Sequence, residues 1–379
     1  MKPQQAPEDT NSNQEQVQVE NSQLDKTEIS EKKHKLYTII ALIIISVVCV
    51  GSIILLFFYT NNTKSESSTT TKDSTTANQQ NSTQVSIIPD SINPIDETKL
   101  PLGVNKYTSV GPKKGYIYSC QSRFSANAGG ADVAGPWINE SSKTWNSKQK
   151  VSVSGSVKWP NAKYQNTLSG DSRNIVANNL PINNQSTGIF PIASSDAAYQ
   201  YDKNPNSIAS QNINWTLPVN PTILSTPKCL NMGAVGILED GVVLFNALDG
   251  EGRDAAAYET LDSCEGHPER TSEYHHHNIA SCIIAKYASP NSSSLVGYAT
   301  DGYGIYVERD KNGKLLTNDN LDECHGRTSQ VLWDGKTINM YHYNATLEFP
   351  YTIGCFKANP AVSSTQSQPV NRPLGPPRN

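Results

Sequence analysis

The chain has no surplus of positive charge. Thirty-one Lys and Arg stand against 35 Asp and Glu, a formal net charge of −4 with His neutral. With no basic face to displace counterions from phosphates, the composition argues against a nucleic-acid partner. Charge of either sign is scarce, at 17% of 379 residues, and hydrophobic residues reach only 36%. Asn, Ser, Thr and Gln supply the polarity instead. Catalytic signatures of fixed spacing are missing too. There is no G-x-S-x-G elbow, no H-E-x-x-H, no P-loop and no G-x-G-x-x-G turn. Within residues 96–360 no apolar stripe runs for several helical turns, which leaves strands to build that region.

The averages hide unlike parts. Residues 1–35 are polar and aperiodic, the composition of a disordered tail. Residues 36–59 (LYTIIALIIISVVCVGSIILLFFY) carry no charge. As a helix they reach about 36 Å, enough for a hydrocarbon core of about 30 Å. Lys26, Lys32, Lys33 and Lys35 precede this run, while only Lys64 and Lys72 follow it closely. The positive-inside rule then places the N-terminus in the cytoplasm and the rest outside the plasma membrane. No small-x-small cleavage site follows, so the run reads as an uncleaved signal anchor, with Cys49 a residue of its helix. Residues 60–95 are a Ser/Thr-rich stalk, and 361–379 a Pro-rich, disordered tail.

Residues 96–360 remain for the folded region, split here into 96–230 and a His/Cys-rich half, 231–360. Its signals are strands. KVSVSGSVKW (150–159) places Val151, Val153 and Val157 on one parity. Asp240-Gly241, Asp301-Gly302 and Asp334-Gly335 each separate two apolar runs, the preferred hairpin dipeptide. The reading is a mostly β, extracytoplasmic domain with short helices and long loops, behind one N-terminal transmembrane helix.

Six cysteines lie outside the apolar run, an even number suited to an oxidising compartment. Six of the seven histidines fall between His267 and His342. They overlap a weak duplication. The first copy runs Leu261-Asp262-x-Cys264-x-Gly266, Tyr274-His275, Cys282. The second runs Leu321-Asp322-x-Cys324-x-Gly326, Tyr341-His342, Cys355. One bridge per copy gives Cys264–Cys282 and Cys324–Cys355, leaving Cys120–Cys229.

On a strand, His275 and His277 share a face and His276 takes the other. Two imidazoles spaced this way can share a zinc or copper ion. His342, His325 and His267 are the candidates for further ligands. Asp262 and Asp322 are carboxylate candidates, as ligands or as acceptors that orient the rings. The alternative is that these histidines only hydrogen-bond between strands.

The two Y-H segments, with LDSCEGHP (261–268), GYATDGYGIYV (297–307), LDECHG (321–326) and EFPYTIGCF (348–356), resemble the YHYH domain family. WPNA (159–162), TGIFP (187–191), YDKNPNSI (201–208) and FNALD (245–249) extend the resemblance over most of the folded region. It implies an exported, disulfide-bridged domain and supplies no activity. The chain departs from the signature twice. The first motif is Tyr274-His275-His276-His277, and the second ends in Asn344, a weak ligand that also opens the glycosylation sequon Asn344-Ala345-Thr346. The leading expectation is a membrane-anchored protein binding a transition ion through His275, His277 and His342. The rivals are a metal-free surface module for a protein or glycan partner, and a metal-dependent hydrolase with unassigned catalytic residues.

Overall fold

The computed structural model describes residues 92–125, 129–289 and 293–361 and the backbone of 368–369, all within the unit Asn81–Asn379. The expected tail 1–35, the anchor 36–59 with Cys49, most of the 60–95 stalk and most of the 361–379 tail lie outside the described residues. Among the described residues, no helix is long and apolar enough to cross a membrane.

Strands dominate and helices are short. A small antiparallel sheet is built from β1 (Tyr164–Ser169), β2 (Ser172–Ala177) and β3 (Gln211–Pro218), in the order β1-β2-β3 and edged at β3 by Gln368–Pro369. Strand β3 alternates buried and exposed along its length, one face for the core and one for water. The other strands of note are β4 (Ala234–Leu238), β5 (Val243–Phe245), β6 (Gly266–Pro268), β7 (Tyr274–His276), β8 (Ser294–Ala299), β9 (Gly304–Val307), β10 (Gly326–Trp333) and β11 (Lys336–Asn344). The helices flanking β6 and β7 are α1 (Ala255–Tyr258) and α2 (Ser281–Tyr287). All three Asp-Gly pairs turn hairpins, joining β4 to β5, β8 to β9 and β10 to β11. Their glycines take φ of +86°, +95° and +77°, where a side chain is disfavoured. The 150–159 segment departs from expectation. Only Val157–Lys158 pairs as a strand there, and Val153 makes one isolated bridge, to Asp262.

The eight later strands form one sheet in the order β6-β7-β5-β4-β8-β9-β11-β10. The order is symmetric about the β4/β8 seam. Outward from it, each half pairs antiparallel (β4/β5, β8/β9), then parallel (β5/β7, β9/β11), then antiparallel (β6/β7, β10/β11). The duplication in the sequence is therefore a duplication of architecture. Each copy of L-D-x-C-x-G leads into the outermost strand of its half.

One face of this sheet packs on the small sheet, with Ile175, Ile213, Trp215 and Leu217 against Ile237, Val243, Tyr306 and Val331. The other face packs on the N-terminal loops through Leu100, Ile117 and Trp137. Between the two sheets Arg173 is 2% exposed. It grips both Asp334 carboxylate oxygens (2.7 and 2.8 Å) and lies over the rings of Tyr298 and Trp333, at 4.2 and 4.8 Å. Three disulfides close Cys120–Cys229, Cys264–Cys282 and Cys324–Cys355, so each copy holds its own bridge.

Candidate metal centre

The motif strand is positioned by its tyrosine. Asp262 Oδ1 accepts from the Cys264 and Gly266 amides (2.9 and 3.2 Å), which folds L-D-x-C-x-G into a turn. Tyr274 donates its hydroxyl to Asp262 Oδ2 at 2.9 Å. Its ring fits because residue 266 is glycine: a Cβ there would stand 2.3 Å from the phenol oxygen. The third motif position, His276, faces the same way and meets Asp240 of the β4–β5 turn at 3.3 Å. The second copy repeats both contacts. Tyr341 donates to Asp322 (3.1 Å) and Tyr343 to Asp301 (2.6 Å). Odd motif positions are thus anchors, and even positions are turned to the opposite face.

On that face three imidazoles converge. His267 on β6 is the cross-strand partner of His275 on β7, and His277 follows two residues on. His275 Nε2 is 3.1 Å from His277 Nε2, which is 3.3 Å from His267 Nε2. A carboxylate joins them. Glu259 Oε2 lies 3.2 Å from His267 Nε2 and 3.2 Å from His277 Nε2. A turn of α1 places it: Asp254 caps the helix from its buried side chain, and the Glu259 amide closes the turn on Ala255 O. The four side chains are between 2% and 7% exposed as residues.

The hydrogens of two rings can be assigned. His277 Nδ1 faces Asn246 O at 2.6 Å and His275 Nδ1 faces Glu273 O at 3.1 Å. Carbonyls only accept, so in the neutral rings both hydrogens sit on Nδ1, and both Nε2 atoms present lone pairs. Lone pairs 3.1 Å apart repel unless a cation lies between them. Glu259 Oε2, though close to two nitrogens, takes no well-aligned hydrogen bond, and His267 Nδ1 has none either. Donors bound at 2.0–2.1 Å to one tetrahedral ion stand about 3.3–3.4 Å apart. The four separations here approach that value. Phe245 stacks on His275 with ring centroids 3.8 Å apart and closes one side.

Burial holds the His275 imidazole well below its ordinary pKa, and repulsion from His267 and His277 adds to it. Burial also opposes the charges of His267 and Glu259, but their attraction outweighs it. The His267 pKa is raised and that of Glu259 is held well below the carboxylate range. The constellation is a buried three-histidine group, with an adjoining carboxylate, that could hold a metal ion.

Several expected residues are elsewhere. His342 does not join His275 and His277, because β7 and β11 are five strand spacings apart in the sheet, about 24 Å. It meets Glu308 instead, at 3.0 Å. His325 occupies the turn of the second copy with φ +69° and meets Thr346 Oγ1 at 3.0 Å. Asp262 and Asp322 neither ligate nor orient rings; they shape the turns and receive the tyrosines. Asn344 lies in the second copy and is fully buried, so its sequon is no glycan acceptor in the folded chain. Glu259 was not anticipated. Its signal is the one carboxylate in AAAYETL (255–261), eight residues before His267.

Residues 214–315 match the family described as "YHYH protein". The matched segment contains the whole three-histidine group and Glu259. No curated protein and no solved structure matches the chain.

Proposed function

Taking residues 214–315 as a segment of the YHYH family, we propose that the chain is a membrane-anchored, extracytoplasmic metal-binding protein. His267, His275, His277 and Glu259 hold one first-row transition ion, zinc or copper. The observation that carries this reading is the pair of facing Nε2 atoms of His275 and His277, 3.1 Å apart, beside a carboxylate oxygen with no well-aligned hydrogen bond. Imidazole nitrogens suit these ions, and the carbonyls behind His275 and His277 hold the rings in the ligating tautomer. Four protein donors in a buried setting describe a closed site, the kind that stabilises a fold. A hydrolase would need an open coordination position and access for substrate. Two surface clefts, one lined by Trp159 and Asn183 and one by Ile92 and Glu348, contain none of the four residues.

The charge-free run 36–59 and the lysines before it support the anchor and its orientation. Three disulfides fit an oxidising compartment.

The test is elemental analysis of the purified protein beside His275→Ala/His277→Ala. One equivalent of zinc or copper is expected in the wild type and none in the variant. A cobalt-loaded sample should show the intense visible bands of a tetrahedral ion. A wild type that stays metal-free after reconstitution would make the group a hydrogen-bonded core element and leave the metal-free surface module as the reading.

A further inference from the structure

The second copy carries its own buried constellation at the corresponding place. Arg327 is the cross-strand partner of His342, as His267 is of His275. Asn344 stands two residues beyond His342, as His277 does beyond His275. The ring setting is kept: His342 Nδ1 faces the carbonyl two residues back, Met340 O, at 3.1 Å, and His275 Nδ1 faces Glu273 O in the same relation. A carboxylate is present again. Glu308 enters from the end of β9, a different route from that of Glu259. Its Oε2 lies 3.0 Å from His342 Nε2 and 3.7 Å from Arg327 Nε. Arg327, Glu308, His342 and Asn344 are 4%, 1%, 0% and 0% exposed.

We infer that this second constellation is a cation site filled by the chain itself, with the Arg327 guanidinium standing in for the ion. A carboxylate this deeply buried needs a positive partner. In the first copy the three rings can offer lone pairs when neutral, so the position is open to an ion from outside. In the second, one ring is replaced by a guanidinium, which has only N–H donors and no lone pair to ligate with. A second ring is replaced by Asn344, whose carbonyl is a poor ligand for such ions. The protein therefore takes one ion per chain although its architecture offers two equivalent positions. This rests on the proposed function for the stoichiometry, but the filling of the second position by Arg327 can be tested without it.

The experiment is zinc content of the full chain after loading and removal of free ion, for wild type and for Arg327→His/Asn344→His. The variant should hold two equivalents against one in the wild type. In the His275→Ala/His277→Ala background it should hold one against none. A wild type holding two equivalents, or a folded variant that gains nothing in either background, overturns the inference. A wild type with none and a variant with one would keep it and sink the proposed function. Thermal unfolding in chelator covers a variant that fails to fold. Arg327→Met should lower Tm, and adding Glu308→Gln should recover part of the loss. No recovery counts against a guanidinium that balances the Glu308 charge.

Discussion

Six histidines that look alike in the sequence play four parts in the structure. His267, His275 and His277 face one another. His276 meets Asp240, His342 meets Glu308, and His325 meets no carboxylate, only the Thr346 hydroxyl and the Tyr351 backbone. The last has a measurable consequence. Burial pushes the His325 pKa from 6.5 to about 3. The unfolded chain therefore binds a proton below pH 6.5 that the folded chain refuses until near pH 3. The stability this neutral ring contributes is complete above pH 6.5 and is lost as pH falls from 6.5 towards 3. His325→Asn, which tolerates the left-handed backbone, should remove that loss. Between pH 7 and pH 4.5 the wild type should lose about 2–3 kcal/mol more than the variant, read by denaturant unfolding. Equal losses would show that the ring takes up its proton while folded. None of this was legible in the sequence, because His325 and His342 differ in their surroundings, not in their spacing.

The elements were read better where the chemistry is local. The Asp-Gly hairpins and the order L-D-x-C-x-G, Y-H, C depend on residues a few positions apart, and these appear as drawn from the sequence. What failed was the step from two similar strands to one shared site. Parallel pairing inserts β5 beside β7 and β9 beside β11, and so keeps the copies apart. Glu259 was missed for a related reason: its link to His267 runs through a helical turn capped from a buried Asp254. The turn glycines offer a test at this scale. A methyl at Gly266 or Gly326 would press on the ring of Tyr274 or Tyr341. Each substitution to alanine should cost about 1–3 kcal/mol. Only Gly266→Ala, beside His267, should also weaken metal retention against a competing chelator. Equal retention in the two variants would mean that β6 does not set the ligand geometry.

At the scale of the molecule, the large sheet is held between the small sheet and the N-terminal loops, and Arg173 ties the two sheets together. Lysine keeps the charge there but not the planar fork or the stacking on Tyr298 and Trp333. Arg173→Lys should lower the free energy of unfolding by about 1–3 kcal/mol, less than the loss of a buried pair costs, because lysine keeps the charge and Asp334 is partly open to water. Bound zinc should be unchanged, since Arg173 contacts β8 and β10 in the half away from the three histidines. A loss of metal in this variant would show that the halves are not independent.

The seam between β4 and β8 has one more consequence. Two identical subunits joined edge to edge would have to carry any mutation twice, once on each side of their symmetry axis. Here both sides are written in a single stretch of gene. A change at one position of one half leaves its counterpart untouched, so a duplicated framework can carry two different groups, such as Arg327 and His267, at equivalent places.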